Sequence, residues 1–132
     1  MEKYRDLHLK LTPQRLAILR YLEGNTSHPS AEDIYKAVLQ QYPTMSFATV
    51  YNTLEALKNK GRVQELKIDP NKKRYDPDTR QHHHLICVTC RNIVDIYKDF
   101  ELTLSEDLTS GFELLGNSVE FYGTCQKCRV GN

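Results

Sequence analysis

Apolar positions recur at helical spacing in three stretches of the first sixty residues, then give way to short alternating or apolar runs. Leu16, Ile18, Leu19 and Leu22 form a stripe that stops at Gly24. Thr12 is placed to cap the free N–H groups ahead of that stripe, and Pro13 suits a first helical position because it has no N–H to leave unpaired. A second helix is expected from Ser30, with Asp33 as its capping-box partner, through Ile34 and Val38 to about Gln41, where Pro43 blocks continuation. The third is capped by Ser46, turns Val50, Leu54 and Leu57 inward and ends at Gly61.

Two extended segments follow, Val63–Ile68 and Arg74–Asp76. They flank Asp69-Pro70-Asn71-Lys72-Lys73, which combines turn chemistry with cations. Three short helices and a basic hairpin are the ingredients of a winged helix-turn-helix. Composition shifts around Pro77 to Gln81, which predicts a boundary between a domain over 1–78 and another over 79–132. In the second domain, strands are expected at Leu85-Ile86, at 93–97 and over about 117–123, with a helix over about 100–110. A unit of about fifty residues buries too little surface to stand alone and usually needs a metal, a disulfide or a partner subunit.

Composition adds class limits. The 132 residues are 39% hydrophobic and 27% charged, which fits a folded globular chain. No apolar run approaches the roughly 20 residues that span a bilayer, and charged residues crowd the N-terminus, so no secretion signal or membrane partner is expected and a cytoplasmic setting is the default. The net charge of +1 conceals a division: residues 1–80 hold 14 Lys/Arg against 10 Asp/Glu, and residues 81–132 hold 4 against 7. The basic half is the half that suits phosphate.

All four cysteines fall in two C-x-x-C pairs, Cys87/Cys90 and Cys125/Cys128. Two such knuckles complete a tetrahedron around Zn²⁺, and a closed four-sulfur site has no open position for substrate. Two disulfides are the competing reading, disfavoured in a cytoplasmic chain. His82-His83-His84 precedes the first knuckle; on a strand, His82 and His84 share one face and His83 takes the other. With Asp76 and Asp95, these imidazoles make a mixed N/O donor set suited to Fe²⁺, Mn²⁺ or Zn²⁺, or else a polar strand edge. His28, alone in its loop, reads by itself as a loop residue. On the third helix, Ala48, Thr49, Tyr51 and Asn52 face outward beside Lys72, Lys73 and Arg74, a pattern that suits a DNA-reading helix with a phosphate-binding wing.

Several segments together resemble the ferric uptake regulator family of metal-dependent repressors. They are Leu11–Arg15, His28–Tyr35, Ala48–Leu54, His82–Cys90 and Tyr122–Cys128, and they span nearly the whole chain. The resemblance implies an α+β protein: an N-terminal winged helix-turn-helix, then a small α/β dimerisation domain carrying the four-cysteine zinc site. It implies a homodimer on a palindromic operator, not an enzyme, with Arg15 joining the DNA-contacting residues. It also implies a regulatory Fe²⁺ or Mn²⁺ held by His28, Asp76, His82, His84 and Asp95 between the domains.

Within the family, Asp at position 95 is similar to the peroxide-responsive repressors, in which iron-catalysed oxidation of a ligand histidine (His28 or His82) by hydrogen peroxide releases DNA. The histidine that iron-uptake repressors place before the third cysteine is replaced by Thr124. Three other readings stay open: a same-family repressor that senses iron or another divalent ion by occupancy alone, a non-haem iron oxygenase built on two histidines and a carboxylate, and a zinc-ribbon adaptor.

Overall fold

The computed structural model describes residues 2–130, and the chain divides into two compact units, one ending at Arg80 and the other beginning at Gln81. The first unit holds α1 (Pro13–Leu22), α2 (Ala31–Leu39) and α3 (Phe47–Asn59), then a two-stranded antiparallel hairpin of β1 (Gln64–Leu66) and β2 (Arg74–Asp76). Each helix begins where a side chain can take up free backbone donors. Thr12 accepts from the Arg15 N–H, Ser30 and Asp33 form a reciprocal capping box, and Ser46 accepts from the Thr49 N–H. Gly24 and Gly61, with φ of +65° and +67°, turn the chain out of α1 and α3.

Helix α2 stops at Leu39 instead of continuing to about Gln41, because the N–H groups of Gln41 and Tyr42 both fold back onto the Val38 carbonyl ahead of Pro43. Ile18, Leu19, Leu22, Ile34, Val38, Val50, Leu54 and Leu57 form the core of this unit. Tyr4 and Leu7, from a 3₁₀ helix at Glu2–Leu7, pack onto the same core. The stripes read from the chain are therefore the buried faces.

The second unit is a three-stranded sheet in the order β4-β3-β5, with β3 (His83–Cys87) antiparallel to β4 (Ile93–Ile96) and parallel to β5 (Glu120–Gly123), followed by the short α4 (Gln126–Val130). Its described apolar interior is small: Ile86, Cys87 and Ile93 are buried, whereas Leu102, Leu104, Leu108, Phe112, Leu114 and Leu115 are exposed.

The helix expected over about 100–110 is absent. Only a single 3₁₀ turn, Glu106–Leu108, forms there. Leu102-Thr103-Leu104 alternates as an extended segment does, and positive φ at Glu101, Ser110 and Gly111 breaks the backbone on either side. The strand expected from 117 begins at Glu120, because the Val119 N–H donates to the ring of His83 instead of to a ladder carbonyl. No helix among the described residues is long and apolar enough to cross a membrane.

Leu54 is fully buried in the three-helix core. Leu54→Ala is expected to cost about 2–5 kcal/mol of stability, read as a lowered denaturant midpoint with an unchanged slope.

Candidate metal centres and DNA-facing surface

The two cysteine knuckles meet. Cys87 ends β3, the turn through Cys90 leads back toward β4, and Cys125 and Cys128 flank and enter α4. All four cysteines are free thiols whose sulfurs lie within 4.8 Å of one another, and the Cys90 and Cys125 sulfurs are 3.9 Å apart. Zinc–thiolate bonds of about 2.3 Å set tetrahedral sulfur–sulfur edges near 3.8 Å, so the cluster fits Zn²⁺ as it stands. The N–H groups of Cys125 and Cys90 both donate to the Cys87 sulfur, at 3.4 Å each, and lower its pKa to about 5. These donors favour the thiolate form that binds metal.

In the second unit the strands bring imidazoles and a carboxylate to one face. His84 lies directly opposite Asp95 across the antiparallel β3–β4 pair, and His82 precedes His84 by two positions on the same side. Nε2 of His82 is 2.9 Å from Oδ1 of Asp95, and Nε2 of His84 is 3.5 Å from the same oxygen. The His82 ring also stacks on Tyr97, with centroids 4.9 Å apart. His83 points the other way: its Nδ1 accepts from the Val119 N–H at 2.9 Å, and its ring meets Phe100 edge-on. Alternation along the strand separated these roles.

In the first unit His28 is fully buried, and its Nε2 lies 3.4 Å from Oδ2 of Asp76 at the end of β2. The other oxygen of Asp76 accepts from the Asp78 N–H at 2.9 Å, which fixes the carboxylate as the chain leaves the hairpin. His28 has φ of +53°, and the Pro29 carbonyl accepts from the Tyr75 N–H, so the loop before α2 is fastened to β2. Each unit therefore holds nitrogen and carboxylate donors side by side. Their mixture suits Fe²⁺, Mn²⁺ or Zn²⁺.

The residues expected to face DNA lie on α3, on α1 and in the turn of the hairpin. Ala48, Tyr51 and Asn52 are exposed on α3, and Thr49 is half-buried with its hydroxyl 2.8 Å from that of Ser46. Arg15 on α1 is half-buried, and its guanidinium donates to the Lys10 carbonyl. Lys72 and Lys73 are exposed on the wing but paired, Lys72 with Asp33 at 3.8 Å and Lys73 with Glu65 at 2.9 Å. Glu65 also binds Lys58, and the two ammonium groups hold its carboxyl below the usual carboxylate range.

Arg74 departs from expectation. It is buried, and it serves the backbone of the His28 loop and Asp69 instead of presenting a cation beside α3. Sequence reasoning missed Glu65 and Asp69 as partners of the wing cations. The Asp69-Pro70-Asn71 turn signature marks Asp69 as an anchor, but nothing local marks its tie to Arg74.

A winged helix joined to a small sheet unit, with four clustered thiols and paired histidine–carboxylate donors, defines a metal-binding protein of the winged-helix class. The model of the ferric uptake regulator family matches residues 6–122, and the chain belongs to that family. It is 40% identical over 131 residues to the peroxide operon regulator of Bacillus subtilis, covering 97% of this chain and 90% of that protein. Among solved structures, it resembles the ferric uptake regulator from Francisella tularensis with iron at 28% identity and a TM-score of 0.72, covering 92% of this chain and 96% of that one. It also resembles the Campylobacter jejuni peroxide stress regulator at 30% identity and a TM-score of 0.66, covering 96% and 94%.

Replacing Cys87 or Cys125 by Ser is expected to abolish zinc retention and unfold the second unit or dissociate the protein into monomers, because structural zinc supplies folding free energy. Zinc content, circular dichroism and sedimentation check it.

Proposed function

We propose that this protein is a homodimeric, metal-dependent DNA-binding repressor that responds to hydrogen peroxide. The observation that carries the reading is the donor set: a single Asp95 oxygen within 3.5 Å of both His82 and His84 in one unit, and a buried His28–Asp76 pair in the other. We assign His28, Asp76, His82, His84 and Asp95 to one regulatory Fe²⁺ or Mn²⁺, and Cys87, Cys90, Cys125 and Cys128 to a structural Zn²⁺. The domain boundary falls in 77–81, so ligands from the DNA-binding part and from the dimerisation part are fixed relative to one another only while the ion is held. Selecting one orientation from a mostly open ensemble requires about 10⁴-fold preferential binding, or about 5.5 kcal/mol. The five shared ligands are the proposed source of that preference.

The remaining residues have defined tasks. Ala48, Thr49, Tyr51 and Asn52 enter the major groove, where Ala48 permits close approach and the Asn52 amide suits an adenine edge. Lys72, Lys73 and Arg15 meet phosphate; the lysines exchange Asp33 and Glu65 for phosphate oxygens, so part of the charge interaction is already present in the free protein. The exposed leucines between 102 and 115 form the face on which a second copy packs. Two copies present two recognition helices, which is the symmetry of a palindromic operator. Bound Fe²⁺ would supply the activation of peroxide that Mn²⁺ does not. His28 or His82 would be the group oxidised: a ring carbon gains one oxygen atom from H₂O₂, water leaves, and the altered ring no longer ligates. Nothing turns over.

The similarity to the Bacillus subtilis peroxide operon regulator supports this reading, as does Asp at position 95. Operator binding is expected to require Mn²⁺ or Fe²⁺ and, with Fe²⁺ alone, to be lost after low peroxide with one added oxygen on His28 or His82. Band shift and mass spectrometry read both. Fe²⁺-loaded protein that keeps its operator through the pulse with unmodified histidines is instead an occupancy sensor. Asp95→Glu is expected to keep metal-dependent binding largely intact and to blunt the peroxide response. An unchanged response removes position 95 as the discriminating residue.

A further inference from the structure

We infer that Arg74 is a positioning residue that ties the tip of the wing to the backbone of the His28 loop, so that the state of His28 reaches the wing lysines through the first unit itself. The guanidinium lies inside that unit, with its side chain only 10% exposed, which excludes it as a phosphate contact. Its donors go three ways: Nε to the His28 carbonyl, Nη2 to the Ser27 carbonyl at 3.1 Å and Nη1 to Oδ2 of Asp69 at 3.2 Å. Asp69 is itself buried, and its other oxygen accepts from the Asn71 N–H at 2.9 Å, closing the turn that carries Lys72 and Lys73. One rigid, planar cation thus has the metal-ligand loop on one side and the wing turn on the other.

The neighbouring residues strengthen the tie. The Tyr75 N–H donates to the Pro29 carbonyl at 2.8 Å, and the Asp76 carboxylate faces the His28 ring. Three consecutive residues of β2 therefore hold 27–29, in turn by side chain, backbone and side chain. His28 has a positive φ of 53°, a conformation that side-chain-bearing residues rarely keep without support. A change in the His28 ring that lets this loop relax moves the carbonyl to which Arg74 is bonded. The guanidinium is too stiff to absorb the movement, and it transmits it to Asp69 and the turn. Lysine has the charge but not the fork, and it cannot make the three bonds together.

The inference rests on the reading of His28 as a regulatory ligand, and the test separates the two. Operator affinity of the full-length protein is measured with and without Mn²⁺ for wild type, Arg74→Lys and Asp69→Asn, each first shown to retain zinc and native circular dichroism. Because coupling between two sites is reciprocal, the ratio of the two operator affinities should fall about tenfold in both variants, and the tightening of Mn²⁺ binding by operator DNA should fall by the same factor. A ratio that stays at the wild-type value, including an equal loss of affinity with and without Mn²⁺, overturns the inference. A second readout uses no metal at all: in metal-free protein, His28→Ala and Arg74→Lys should each remove hydrogen-exchange protection from the Asn71 and Tyr75 amides while sparing Ile34 at the start of α2. Unchanged protection at Asn71 breaks the tie outright. Wild-type DNA binding that ignores Mn²⁺ defeats the functional reading, and the exchange result then decides the tie by itself.

Discussion

Burying imidazoles and carboxylates is costly unless each finds a partner; this chain buries both kinds in its first unit, and in its second buries imidazoles beside the half-buried Asp95. His28 and Asp76 are almost completely enclosed in the first; His82 and His84 are buried in the second beside Asp95. Close pairing offsets part of that cost. It also leaves nitrogen and oxygen donors gathered where a divalent cation can satisfy several at once, and such an arrangement makes the conformation of the protein sensitive to one ion. The proposed switch, the proposed peroxide chemistry and the tie through Arg74 all depend on these enclosed donors.

The second unit has little apolar support of its own for a metal to add to. Its described apolar interior consists of little more than Ile86, Cys87 and Ile93, while a run of leucines lies open to solvent. A sheet so thinly supported is held at one end by the four-thiol cluster, where the Cys87 sulfur already takes N–H donors from Cys90 and Cys125. In the proposed reading, a zinc ion there closes long loops with strong bonds, and a second subunit on the leucine face supplies burial that the unit lacks.

The sequence is most legible where a local rule is sufficient. Helix caps at Thr12, Ser30 and Ser46, the inward stripes and the hairpin limits at Arg74–Asp76 depend on spacing and capping chemistry alone, and all are present. Strand alternation also separated His82 and His84 from His83, because side chains alternate faces strictly along β3. Legibility failed where the decisive partner is distant in sequence. Arg74 reads as a surface cation within a basic run, yet its partners include carbonyls more than forty residues away. The segment around 100–110 carried enough leucine to read as a helix, but positive φ at Glu101, Ser110 and Gly111 decides otherwise. His28 had no local distinction at all; its burial against Asp76 is a product of the tertiary fold.

In the proposed switch, a single exchangeable ion is held jointly by donors from both parts of the chain, apart from a tightly held zinc. Metal analysis of the purified dimer before and after chelation tests it most directly, repeated with His28→Ala and with His84→Ala. One zinc per chain should resist removal and one Mn²⁺ or Fe²⁺ per chain should be removed and restored, with either substitution alone abolishing the exchangeable ion and leaving the zinc. An exchangeable ion that survives loss of His28 at full stoichiometry and affinity would contradict it.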